Sequence, residues 1–169
     1  MALQLQRLRI LVVEDNNNMR ELIASVLDNL GIGRVFTASG GSRVFELMQE
    51  NEPDIVILDW QMPEMDGLEV TKMIRKDPES PDPFIPIIVI TGYNSLERVK
   101  IARDAGVTEF LIKPFKATDV AKRIEHVINH PRDFVSTADF FGPDRRRKVD
   151  KNYNGPKRRK EDKLKALDW

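Results

Sequence analysis

An open α/β fold, doubly wound around a five-stranded parallel sheet, is what this sequence predicts, and three observations carry the prediction. Short apolar runs alternate with amphipathic stretches along residues 8 to 130, which is the pattern of βα repeats. The runs are apolar throughout, as strands covered by helices on both faces are. Four of them end in a reactive polar residue: Glu14-Asp15 after Ile10-Leu11-Val12-Val13, Asp59 after Ile55-Val56-Ile57-Leu58, Thr91 after Ile87-Ile88-Val89-Ile90, and Lys113 after Phe110-Leu111-Ile112. Ligands of such sheets bind at the carboxyl ends of the strands. Three acids, a hydroxyl and an amine therefore converge on one pocket.

The elements follow in order. A first strand near 8–13 leads to a helix near 17–30, where Ile23, Val26, Leu27 and Leu30 recur at helical spacing and Gly31 is placed as a C-terminal stop. A strand near 34–37 and a helix near 41–50 come next. Pro53 opens the third strand, near 54–58, where a missing N–H is tolerated. The third helix spans about 67–76. Residues 77 to 83 hold three prolines and read as a solvated loop. Pro86 opens the fourth strand, near 86–90, followed by a helix near 95–105 that Gly106 ends. The last strand and helix fall near 109–112 and 117–129. From Pro131 onward the periodicity stops and charge dominates, so residues 131 to 169 are expected to be an irregular or disordered basic tail after a domain of residues 1 to 130.

Composition narrows the class. Cysteine is absent, which excludes disulfides, thiolate zinc sites and cysteine nucleophiles and fits a reducing compartment. No apolar run approaches the roughly 20 residues of a membrane helix, and Met1 to Arg9 has no secretory apolar stretch. A soluble cytoplasmic protein is expected. The formal net charge of zero hides an asymmetry: residues 1 to 130 carry 15 Lys/Arg against 20 Asp/Glu, and residues 131 to 169 carry 12 against 7. Such a split suggests two different partners.

The strand-end set suits phosphoryl transfer. A carboxylate is a competent nucleophile toward phosphorus. A phosphoryl group beside three carboxylates needs a hard cation such as Mg²⁺, which takes few carboxylates plus phosphate oxygens and water. Asp15 and Asp59 are the expected direct ligands, with Glu14 reaching through water. Lys113 would add a second positive charge at the phosphoryl oxygens, and Thr91 a hydroxyl donor.

Over roughly residues 7 to 130 the chain resembles the receiver domain of two-component response regulators, and within that family the single-domain chemotaxis regulators. The carrying residues are Leu11-Val12-Val13-Glu14-Asp15, Asp59 within Leu58-Asp59-Trp60-Gln61-Met62-Pro63-Glu64-Met65-Asp66-Gly67, Thr91-Gly92, and Phe110-Leu111-Ile112-Lys113-Pro114-Phe115. The resemblance implies a flavodoxin-like fold and a switch without a separate substrate. It implies that Asp59 accepts a phosphoryl group from a sensor histidine kinase or phosphotransfer protein, and that the Gln61 carbonyl completes the metal shell. The Lys113-Pro114 bond is implied to be cis. Thr91 and the ring at Phe110 are implied to move on phosphorylation, changing a surface near Leu96, Val99, Lys100, Phe110 and Lys116 that an output protein reads. Phe110 departs from the family's tyrosine, so its role would be packing alone. Gln61 and Tyr93 stand where the family tunes access of hydrolytic water.

The tail carries an imperfect repeat. Residues 142 to 150, opening Gly-Pro-Asp-Arg-Arg, and residues 155 to 162, opening Gly-Pro-Lys-Arg-Arg, lie 13 residues apart, and each contains an Arg-x-x-Asp, Arg147 to Asp150 and Arg159 to Asp162. Paired arginines beside a carboxylate can hold a guanine nucleotide. Arg-x-x-Asp resembles the inhibitory-site motif that binds cyclic di-GMP, so Arg145, Arg146, Arg147, Asp150, Arg158, Arg159 and Asp162 are candidate ligands of a cyclic dinucleotide. Alternatives stay open: a solvated charge run, a polyanion or nucleic-acid contact, or a nucleotide-responsive module whose receiver fold is mainly scaffold. A haloacid-type hydrolase would want a second Asp where Gln61 stands. His126 and His130 suit the end of the last helix, and Phe134, Phe140 and Phe141 are expected to dock the early tail onto the domain.

Overall fold

A computed structural model describes residues 4–92 and 95–145, together with the backbone of residues 162–164. Five strands, β1 (Arg9–Val13), β2 (Arg34–Ala38), β3 (Ile55–Asp59), β4 (Ile87–Thr91) and β5 (Glu109–Ile112), form a parallel sheet in the order β2-β1-β3-β4-β5. The helices α1 (Asn17–Asn29), α2 (Val44–Asn51), α3 (Gly67–Lys76), α4 (Leu96–Ala105) and α5 (Ala117–Asn129) cross between them. The strand order reverses between β1 and β3, which puts a ligand crevice outside their carboxyl ends.

Strand residues alternate between two apolar layers, as the period of two requires. Leu11, Val13, Val56, Leu58, Ile87 and Val89 pack with Val44, Met48, Val70, Ile74 and Ala102 of α2, α3 and α4. Ile10, Val12, Ile55, Ile57, Ile88 and Ile90 pack with Ile23, Leu27, Val120, Ile124 and Val127 of α1 and α5. Both faces being covered explains why the runs are apolar without alternation.

Local signals act as the sequence suggests. Asn16 caps α1 by accepting from the Met19 N–H, and Asp66 with Glu69 makes a capping box on α3. Gly31 and Gly106 take φ of 81° and 101° at the ends of α1 and α4, a region open to glycine at little cost. The helix expected from residue 41 begins as a 3-10 turn, Gly41–Arg43, and becomes α-helical at Val44. No side chain caps either start.

The expectation of an irregular segment from residue 131 fails over its first part. β6 (Phe134–Ser136) and β7 (Phe141–Pro143) form an antiparallel hairpin, and β8 (Asp162–Leu164) pairs with the other edge of β6. Tertiary contact replaces local periodicity there. Phe134 lies 5.1 Å from Phe84 and 5.6 Å from Phe141 between ring centroids, so the phenylalanines do dock this segment. The buried Arg75 guanidinium stacks 5.0 Å over Phe134 and donates to the carbonyls of Gly106, Pro83 and Ile85 at 3.1, 2.7 and 2.8 Å. Its burial pushes the guanidinium below its usual range. A Cβ on Gly142 would meet the Gly106 Cα at 3.0 Å; only two glycines let these backbones approach so closely. The hairpin thus lies at the opposite end of the sheet from the crevice, against the end of α4 and the start of β4.

Candidate functional site

β1 and β3 deliver the acids. Carboxylate oxygens of Glu14, Asp15 and Asp59 all lie within 4.8 Å of one another. Asp59, 4 % exposed, is the last residue of β3, and the Trp60 N–H that follows it donates to the Ile90 carbonyl at 2.9 Å. The chain then turns so sharply that a Cβ on Gly67 would fall 2.4 Å from the Asp59 carbonyl oxygen. Gly67 therefore lets α3 start directly against the end of β3.

Glu14 is held at several points. Its N–H donates to the Ala38 carbonyl, its carbonyl accepts from Arg20 Nη1 at 2.8 Å, and its Oε1 accepts from the Asn16 N–H at 3.0 Å. Its Oε2 is buried and has no hydrogen-bond partner among the described residues. Desolvation, opposed in part by the Asn16 N–H, pushes the Glu14 carboxyl up to about 7, and the nearby Asp59 charge adds to the rise.

Lys113 supplies the positive charge. Its Nζ donates to Asp59 Oδ1 at 2.8 Å and stands 3.8 Å from Glu14 Oε2. The Lys113 N–H donates to the Thr91 carbonyl at 2.8 Å, which ties the base of the side chain to the end of β4. The Lys113-Pro114 peptide is cis. Thr91 ends β4 with 3 % exposure, one residue beyond Ile90, which is in register with Asp59. Phe110 is half-buried against the α2–α4 layer. Gln61 is exposed beside Trp60.

The structure therefore brings Glu14, Asp15, Asp59, Thr91 and Lys113 to one end of the sheet. Three carboxylates around one amine leave an excess of negative charge, and an orphaned buried oxygen faces it. A hard divalent cation fits that donor set. Of the tail residues, Arg145 pairs with Asp104 at 2.7 Å and stacks 4.5 Å over the Phe140 ring. It serves docking of the hairpin. Arg146, Arg147, Asp150, Arg158 and Arg159 lie outside the described residues, as does the side chain of Asp162, and Tyr93 lies outside them too.

One nearby residue is not marked by the sequence. Arg98 is one of several cations on α4, and only folding carries its guanidinium to 5.7 Å from the Trp60 ring. With Trp60, Gln61, Met62, Pro63 and Asp66 it lines a cleft that begins at the residues following Asp59.

Comparison with known proteins agrees with this geometry. Residues 10–125 match the family described as the response regulator receiver domain. The chain is 35 % identical over 122 residues to a chemotaxis protein CheY homolog of Campylobacter jejuni, covering 72 % of this chain and 92 % of that protein. It is equally identical to chemotaxis protein CheY1 of Helicobacter pylori, covering 97 % of it. Among solved structures, CheY4 of Vibrio cholerae aligns with a TM-score of 0.65 at 29 % identity, over 71 % of this chain and 98 % of that one. No helix among the described residues is long and apolar enough to cross a membrane.

Proposed function

The chain belongs to the response regulator receiver family, and from that premise we propose that it is a phosphorylation-dependent switch whose phosphoacceptor is Asp59. The observation that carries the reading is the pairing of Asp59 with Lys113 at 2.8 Å inside a cluster of three carboxylates. A histidine kinase or phosphotransfer protein is the partner that a receiver domain implies.

Residue roles follow from placement. Asp15, Asp59 and the Gln61 carbonyl would hold Mg²⁺, with Glu14 acting through water. The ion would neutralise charge on the transferred phosphoryl group. A carboxylate oxygen of Asp59 attacks phosphorus while the bond to the donor breaks. Lys113 leaves its ion pair with Asp59 for the new phosphoryl oxygens, and the Thr91 hydroxyl donates to another. Because Lys113 and Thr91 share a backbone hydrogen bond, their movements are coupled, and β5 carries the change outward through Phe110.

Output through protein contacts suits the surface around α4 and β5. Leu96, Ile101 and Ile112, on α4 and at the end of β5, are 81 %, 48 % and 44 % exposed, apolar surface that an output protein would cover. The relatives' chemotaxis roles come to this chain as part of the same proposal, as does a cytoplasmic location. A tail that binds cyclic di-GMP draws no support from Arg145, whose charge is already paired.

The test is a titration of the Trp169→Phe chain with beryllofluoride, followed by Trp60 fluorescence. Saturable change that requires Mg²⁺ and disappears in Asp59→Asn supports the switch. A signal indifferent to Mg²⁺ and to residue 59 refutes it.

A further inference from the structure

The chain beyond α5 returns to the end of α4 and grips it. Asp104, in the last turn of α4, pairs with Arg145 at 2.7 Å, and Arg145 lies over the Phe140 ring. Gly106, which ends the helix, meets β7 backbone to backbone: a Cβ on it would stand 3.3 Å from the Phe141 carbonyl oxygen. Arg75 donates to the Gly106 carbonyl at 3.1 Å and stacks against Phe134 of β6. A close-packed contact between two glycine backbones has no slack to absorb movement.

The core holds α4 lightly by comparison. Of its ten residues only Ala102 and Ala105 are buried, and a methyl group buries little apolar surface. Leu96 and Ile101 are exposed. The helix spans about 15 Å, and its first residue follows Thr91 by five positions. It is therefore a rod joined to the phosphorylation site at one end and to the hairpin at the other. The hairpin is seated in the arrangement in which Lys113 pairs with Asp59 itself.

We infer that the β6–β7 hairpin is an autoinhibitory strap: by holding the Gly106 end of α4 it favours the arrangement in which Asp59 pairs with Lys113, and phosphorylation unseats it. The inference rests on phosphorylation at Asp59. Thr91, drawn to the phosphoryl oxygens, pulls the segment leading into α4, and the helix carries the displacement to Gly106. Movement there breaks the Arg145–Asp104 pair and the glycine contact together. Such coupling is reciprocal, so the hairpin weakens phosphoryl binding by the factor by which phosphoryl binding weakens the hairpin's seat. The hairpin is then a second output of the switch, at the opposite end of the sheet from Asp59.

Hydrogen exchange of the full chain in Mg²⁺, with and without beryllofluoride, is the test. Ligand binding to the folded state slows exchange that needs global opening, so β1 and β3 amides should slow. The amides of residues 134–142 should instead speed up about fivefold, the low end of coupling between two sites. Gly142→Ala and Arg145→Ala loosen the seat without touching the site, and should lower the half-saturating beryllofluoride concentration by a similar factor. Trp60 fluorescence in the Trp169→Phe background reads it. Hairpin amides that slow with the rest, or do not change, overturn the inference, while Mg²⁺-dependent saturation still keeps Asp59 as phosphoacceptor. An unchanged or raised half-saturating concentration in a variant whose hairpin exchanges faster overturns it equally. If the unsubstituted chain shows no Mg²⁺-dependent saturation, the reading of Asp59 falls and this inference with it.

Discussion

The Lys113 ammonium bridges two strands at once, 2.8 Å from Asp59 Oδ1 on β3 and 3.8 Å from Glu14 Oε2 beyond β1. It is the cation that lets three carboxylates share one end of the sheet. Lys113→Met should therefore lower unfolding free energy by about 1–2 kcal/mol without divalent cations, below the range for a fully buried pair because Lys113 is 30 % exposed. Urea denaturation in chelator measures it. An unchanged midpoint would mean that the acids are already neutralised by other means.

Glu14 gives the site a pH signature. Its carboxyl is pushed from 4.5 up to about 7 in the folded chain, chiefly by desolvation. Between those values the native state binds more protons than the unfolded state, so this group makes stability fall as pH rises from about 4.5 to about 7. Glu14→Gln should flatten that slope in chelator, read from melting temperatures across the range. A slope unaltered by the substitution would assign it to other groups.

The hairpin rests on backbone proximity. Gly142→Ala places a methyl group 3.0 Å from the Gly106 Cα and 2.9 Å from Phe140 Cζ, so β7 has to lift. Limited proteolysis should cut near residues 137–140 faster in this variant, with the β1–β5 sheet intact by circular dichroism. Equal cleavage would show that the contact is slack.

Arg75 is the counterpart on the domain side. Arg75→Met keeps much of the volume but removes donors from three carbonyls, Gly106, Pro83 and Ile85, which should cost about 2–4 kcal/mol. Chemical denaturation tests it, and loss of protection at Phe134 and Val135 amides by hydrogen exchange should accompany it. A loss of stability with hairpin amides unaffected would confine Arg75's role to the α3–β4 loop.

What the sequence makes legible follows the physics of each element. β1, β3 and β4 are readable because strands covered on both faces must be apolar, and the residue after each run must sit at the crevice. Glu14, Asp59 and Thr91 stand at the ends of those runs, and Lys113 follows the shorter β5, which is only partly covered. α2 starts late because residues 41–43 lack a capping side chain, so composition does not mark the boundary. β6 and β7 are illegible because three-residue strands carry no periodic signal, and their partners, among them Phe84, Gly106 and the buried Arg75, are scattered over α3, the loop before β4 and the end of α4. Arg98 over Trp60 is invisible for a similar reason: the two are 38 positions apart on different elements.

Phosphoryl transfer to Asp59 is the centre of the account, and the most direct measurement is the intact mass of the chain after exposure to phosphoramidate and Mg²⁺, with the modified residue located by borohydride trapping. One phosphoryl group on Asp59, absent in chelator and in Asp59→Asn, is the predicted result. No added mass in the presence of Mg²⁺, or the same added mass in Asp59→Asn, would contradict it.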